Sequence, residues 1–212
     1  MDTARYDSLE EAVKHLQVAD IVLTRTSKGG IFKAVRSTTH SHWNHDALVF
    51  QVVEQPGALP EVLIVEALDH GIEIHRLHKY LRDRKLHDVG FKRMPDLTPE
   101  ERGRILAFFL DMIDTPYDYT RLFSFFMNKL TLQLAGVRVR DYIAQRVINV
   151  DNFVCSSFIQ RAYYLAVPPN LREKTLFREE QEHLNFVYRM EYITPADISK
   201  SKNTEWLYNP HD

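Results

Sequence analysis

The chain predicts an α+β fold in which an antiparallel sheet packs on a helix that carries its only cysteine, with additional helices around it. Three observations predict this. Runs rich in branched and aromatic residues at 19–24, 46–53, 62–68, 71–75 and 88–94 have strand length, and turn residues separate them. The turn Gln55-Pro-Gly-Ala-Leu-Pro60 is hairpin-like rather than a crossover. Further on, apolar residues recur after Cys155 at Phe158, Ile159, Ala162 and Ala166, the spacing of one helical face.

Ser8, with Glu11 three residues on and then Val13 and Leu16, is a capped helix start. Residues 19–24 form the first strand, and Lys28-Gly-Gly30 a turn that lacks the glycine spacing and Gly-Lys-Ser/Thr end of a phosphate loop. Residues 31–36 suit one or two helical turns. In the second strand alternation puts His45, Ala47, Val49 and Gln51 on one face and Leu48, Phe50 and Val52 on the other. In the third, Glu66 shares a face with Val62, Ile64 and Leu68, an expensive place for a carboxylate without a cation or imidazole. Residues 77–84 suit a helical turn or two before the strand at 88–94. Thr98-Pro99 opens a helix with Ile105, Leu106, Phe109, Met112 and Ile113 as its stripe.

Residues 119–148 form an apolar helical insertion dense in Leu and Phe. Two core helices over the sheet are the first reading; a wall for a greasy substrate, or a homo-oligomer face through 119–134, is the sharper one. Val167-Pro-Pro169 closes the cysteine helix, a polar segment follows to His183, residues 192–198 supply a last strand and turn, and 199–212 is a polar tail expected to fray.

One domain over 1–212 is the default at this length. With 27 basic and 29 acidic residues, the chain lacks the basic footprint of a nucleic-acid binder. A single cysteine excludes an internal disulfide, and the polar start lacks a signal-peptide core, so the expectation is a soluble cytoplasmic protein with no transmembrane segment.

A lone cysteine on an apolar helix face ordinarily fills a core gap. Here Asp151 and Asn152 stand where N-caps belong, which puts the sulfur in a first turn where free N–H groups favour a thiolate. A cysteine nucleophile also needs an imidazole base and a third group that orients the ring. His45 and Glu66, on adjacent strands and facing the same way, supply both if those strands pair. The rival constellation is His40-Ser-His42-Trp-Asn-His45, which suggests the HxHxDH run of metallo-β-lactamase-like hydrolases but has Asn44 where that run needs an aspartate. His70, His75, His78 and His87 show no compact zinc-ligand pair. The expectation is therefore no metal and no cofactor, with a metal hydrolase on His40, His42 and His45 as the minority reading.

The order ADIVLTRTS, SHWNHDALVF, VLIVEALDHGIEIHRL, TPYDY, VCSSFIQRAYY and YITPADI, over about residues 19 to 198, resembles the circularly permuted papain-like hydrolases, the YiiX/YebB-like branch of the NlpC-type superfamily. The resemblance implies a permuted papain-like fold and a catalytic triad of Cys155, His45 and Glu66, which fall on the family's CSxF, HxGIV-like and IEA-like positions. It implies a cysteine hydrolase acting through an acyl-enzyme on an amide or ester of a peptide or lipid-like small molecule. The chain departs from the pattern at Asp46-Ala47 after the histidine and at Ser157, neither of which is expected to touch the three reactive groups. Tyr117, in the PYD stretch, and Tyr163, two turns past Cys155, are the candidate second oxyanion donors, with buried structural tyrosines as the plainer reading. The alternatives are a lipid-donor acyltransferase on the same triad, which the missing NCEHF signature disfavours, and an inert binding module.

Overall fold

The computed structural model describes residues 5–26, 41–68, 71–113, 155–178, 186–191 and 193–211. The expected turns at 28–36, the insertion at 119–148, His40, His70, Tyr117, Asp151, Asn152 and His183 lie outside the described residues.

Six strands among the described residues form one antiparallel sheet: β1 (Ile21–Thr26), β2 (His45–Val53), β3 (Glu61–Leu68), β4 (Gly71–Arg76), β5 (His87–Arg93) and β6 (Glu205–Tyr208), in the order β4-β3-β2-β1-β5-β6. The helices are α1 (Leu9–Lys14), α2 (His78–Leu81), α3 (Pro99–Asp111), α4 (Cys155–Ala166), α5 (Phe186–Glu191) and α6 (Pro195–Lys200). The mixed architecture is the α+β fold expected.

Side chains alternate across the sheet, so each strand feeds two cores. Ile21, Leu23, Leu48 and Val65 pack with Phe158, Ile159 and Ala162 of α4 and with Ile105 and Phe109 of α3. Val22, Ala47, Val49 and Ile64 pack on the other face with α1 and with Leu77 and Tyr80. With both faces covered, Ile21-Val22-Leu23 is apolar without alternation, as buried central strands are. Strict alternation fails after Val49. A register shift between Val49 and Gln51 moves Val52 to the α1 side, away from Leu48 and Phe50, because a bulge inserts one residue into the period.

Helix α3 starts as its sequence demands: Thr98 accepts from the Glu101 N–H and Glu101 accepts from the Thr98 N–H. Ile105 and Phe109 are buried, but Ile113 is 39% exposed because the helix ends at Asp111. The polar segment after Pro168 contains a 3-10 helix, Pro169–Thr175. Two further expectations are corrected. Residues 192–198 contain a helix instead of a strand: Thr194 caps α6 with Asp197 in a capping box, and Pro195 stands at its first position. The tail does not fray at 205–208, since β6 pairs with β5 and Leu207 is fully buried.

The tail is held by aromatic rings. Trp43 and Trp206 lie over Gly90 of β5, where a Cβ would come 2.8 Å from the Trp43 ring. Lys92, buried beside Trp206, donates to the carbonyls of Ile198, Ser199 and Ser201, each at 3.0 Å, and so closes the C-terminus of α6. Burial pulls its pKa down to about 8. At the start of β1, buried Asp20 receives Arg93 at 2.8 and 2.6 Å and the Gln17 N–H at 2.7 Å, which anchors β5 there.

Candidate active site

Cys155 is the first residue of α4, and its side chain is buried. Cys155 thus brings its sulfur to a helix start, where backbone N–H groups lack intrahelical acceptors. The apolar stripe of α4 faces the sheet as the spacing predicts: Phe158, Ile159, Ala162 and Ala166 are all buried.

His45 opens β2 opposite Thr24 of β1. Leu48 pairs with Val65, so continuing the ladder sets Ala47 opposite Glu66 and His45 on the diagonal. The His45 Nε2 lies 2.8 Å from Glu66 Oε2, with both side chains almost wholly enclosed. Cys155 makes a side-chain hydrogen bond with the same imidazole. This is notable because the body of α4 packs on the opposite sheet face from His45 and Glu66. The contact is made at the sheet's end, where the first residue of β2 meets the first residue of α4.

Glu66 has further donors that sequence reasoning missed: Lys79 Nζ reaches Oε1 at 2.6 Å and the Tyr80 hydroxyl reaches Oε2 at 2.6 Å. Both come from α2, directly after β4, so the short helix serves to supply Glu66. Burial opposes charge on the carboxylate, but the hydrogen bond and charge of His45 and then Lys79 prevail and hold its pKa down to about 2. Burial likewise opposes charge on His45, yet its bonds to Cys155 and Glu66 hold its pKa up to about 10. The Tyr80 hydroxyl is pushed up, first by burial and then by Glu66, and so remains a donor.

Asp46 departs from expectation. Instead of lying clear of the reactive groups, it is fully buried and accepts a short hydrogen bond from the Ser156 hydroxyl, next to Cys155. Its Oδ1 has no hydrogen-bond partner within normal distance among the described residues. Burial raises the Asp46 pKa, against the pull of His45 and Ser156. Burial also raises the Cys155 thiol, Asp46 adds to that, and His45 opposes it. A carboxylate inside an apolar strand is the signal that singled out Glu66; applied one residue after His45, it would have found Asp46 too.

The remaining predicted residues separate. The Tyr163 hydroxyl donates to the Ala19 carbonyl, before β1, whereas His45 lies beside Thr24 near its end. Tyr163 is therefore held in the core away from the sulfur. Nor do His42 and His45 share a site: His42 turns to Asp88 and His211. Among the described residues those three are the group of potential metal ligands, with ligand atoms within 4.8 Å of one another. His75 pairs with Glu73, and His87 with the Thr26 hydroxyl. No described helix is long and apolar enough to cross a membrane.

A family model described as permuted papain-like amidase enzyme, YaeF/YiiX, C92 family, matches residues 15–142. That span includes His45 and Glu66 and ends before Cys155. No curated protein matches the chain. Among solved structures it is similar to the crystal structure of metalloprotein yiiX from Escherichia coli O157:H7, at 16% identity and a TM-score of 0.57, over 91% of this chain and 97% of that one. At this identity the likeness shows the permuted papain-like fold.

Proposed function

This chain belongs to the permuted papain-like amidase family of the YaeF/YiiX type, and on that premise we propose that it cleaves an amide, or an ester of similar shape, with Cys155 as nucleophile, His45 as acid and base, and Glu66 as the group that orients His45. The observation that carries this reading is the buried 2.8 Å pair of His45 and Glu66 with Cys155 bonded to the same ring.

Each step follows from these groups. In the reactive form the thiol proton resides on His45, whose raised pKa favours the imidazolium beside a Cys155 thiolate, and Glu66, unprotonated at neutral pH, stabilises that cation. The thiolate adds to the substrate carbonyl carbon, and the Cys155 backbone N–H is the donor this reading assigns to the oxyanion. Collapse breaks the C–N or C–O bond as His45 returns its proton to the leaving amine or alcohol, leaving a thioester on Cys155. A water that gives its proton to His45 then attacks the thioester, and the carboxylic acid leaves as the sulfur regains a proton. Because Nε2 is occupied by Glu66, all proton traffic passes through Nδ1.

The test is a panel of amide, ester and thioester substrates together with a thiol-directed electrophile, followed by mapping of the modified residue. Labelling at Cys155, turnover of at least one amide or ester, and loss of both in Cys155→Ala are expected. Turnover that survives Cys155→Ala would sink the proposal. Transfer of the acyl group to an added amine or lipid alcohol in preference to water would convert the hydrolase reading into an acyltransferase on the same residues.

A further inference from the structure

A second polar cluster joins three distant parts of the chain: the segment before β2, the start of β5 and the C-terminal tail. The His42 Nε2 lies 2.8 Å from Asp88 Oδ2 and also 2.8 Å from the His211 Nε2, and the last two atoms are 3.9 Å apart. Protons alone explain this poorly. A neutral imidazole nitrogen carries either one N–H or one in-plane lone pair, so it serves one partner well and not two. Two protonated rings would place like charges nitrogen to nitrogen.

A cation resolves the arrangement. A triangle with these sides has a point roughly 2 Å from all three atoms, the ligand distance of zinc to imidazole nitrogen and carboxylate oxygen. From that point His42 stands about 90° from the other two ligands and those two stand about opposite each other, the angles of a square or octahedral site that open toward a tetrahedron if zinc is bound. We propose that His42, Asp88 and His211 bind one divalent transition-metal ion of the zinc type, fastening the C-terminal tail to the segment that leads into His45. Two imidazoles and one carboxylate suit zinc or its neighbours in the series better than calcium or magnesium. The half-exposed position leaves room for water to complete the coordination.

The frame around the cluster is built. His42 precedes buried Trp43, whose ring packs on Gly90 and lies 5.9 Å from Trp206, and Trp206 stands in the strand from which the tail runs to His211. Asp88 lies two residues before Gly90, on β5. The three ligands are thus presented by one packed unit, although 46 and 169 positions separate His42 from Asp88 and from His211 in the chain. Arg25 donates to the same Asp88 oxygen at 3.2 Å, and its charge works against a bound cation. Removing that charge is therefore expected to tighten the site.

The experiment uses untagged full-length protein stripped with a chelator. Zinc is titrated calorimetrically, cobalt(II) is followed by its visible absorption, and melting is recorded with and without zinc. Expected are one equivalent of metal, binding weakened at least tenfold in His211→Ala and in Asp88→Asn, binding tightened in Arg25→Gln, and a zinc-dependent rise in melting temperature that His211→Ala lacks. The His211 side chain is 46% exposed and lies beyond the last strand, so that variant is expected to keep the fold, which circular dichroism checks. Cys155→Ser should keep the full equivalent. The proposal is overturned if no stoichiometric binding occurs, if His211→Ala binds as well as the parent, or if Cys155→Ser abolishes binding and so places the metal on the sulfur. None of these outcomes bears on whether Cys155 is a nucleophile, which electrophile labelling decides separately.

Discussion

Two carboxyls on paired strands, Glu66 of β3 and Asp46 of β2, treat buried charge in opposite ways. On one face of the sheet Glu66 receives His45, Lys79 and Tyr80 and stays ionised far below the usual carboxylate range. On the other, Asp46 receives the Ser156 hydroxyl and faces the Cys155 thiol, has an oxygen without a hydrogen-bond partner within normal distance among the described residues, and is pushed upward by burial. Both carboxyls are buried within an apolar strand. Burial pushes both upward, and the donors and cations around Glu66 reverse that direction while those around Asp46 do not, because each hydrogen bond to the ionised form offsets part of its desolvation. The consequence is a division of labour: the charged carboxylate faces the imidazole and the reluctant one faces the thiol.

The largest break in this contrast should come from Glu66→Ala. It strands His45 and Lys79 without their anion, and removal of one partner of a buried pair costs about 3–5 kcal/mol. Chemical denaturation should show that loss, and the His45 pKa, followed by NMR, should fall. Glu66→Gln keeps the shape and removes the charge; amide turnover should drop by about 100-fold or more while the fold persists.

Acid should erase the contrast reversibly. Glu66 has a folded pKa of about 2 against an ordinary 4.5, so its contribution is complete above pH 4.5 and is lost as pH falls toward 2. That shift corresponds to about 3 kcal/mol. Melting temperatures between pH 6 and 3 should fall more steeply for the parent than for Glu66→Gln; parallel curves would refute the charged assignment. His45 works the other way: its raised pKa stabilises the fold below pH 6.5, and the contribution disappears as pH rises toward 10.

A smaller effect is expected at the opposite face. Asp46 raises the Cys155 thiol, so Asp46→Asn should move the pH profile of iodoacetamide alkylation to lower pH, with Ser156 still able to donate to the amide oxygen. An unmoved profile would separate Asp46 from the sulfur. Smallest is Tyr80→Phe, which removes one of the donors to Glu66 and should cost about 1–2 kcal/mol in denaturation while leaving His45 in place.

Much of this was legible in the chain. The strands at 19–24, 46–53, 62–68, 71–75 and 88–94 all appear, within two residues, because branched apolar runs bounded by turn residues carry their own signal. Thr98-Pro99 announced α3. Thr194-Pro195, with Asp197 at the third helical position, is the same signature and was open to the same reading, which a short apolar stretch at 192–198 obscured. Strand β6 was not legible, since Glu205–Tyr208 is too short to show a period and forms by pairing with β5 and burying Leu207. Lys79 and Tyr80 were hidden for another reason: nothing local marks which residues of a four-residue helix will reach a carboxylate on a neighbouring strand.

By itself the sequence determined the composition of the site. An imidazole at a strand start, a carboxylate on an apolar strand face and a thiol on a helical stripe are all local patterns, readable because period and polarity are properties of neighbouring residues. Tertiary structure decided which of these groups meet. It brought Cys155 around the end of the sheet to His45 from the far face, set Asp46 against the same sulfur, held Tyr163 away from it, and gathered His42, Asp88 and His211 from across the chain. Such meetings depend on strand order and register, which are set by long-range pairing and the packing of two cores, and no short window of the chain contains that information.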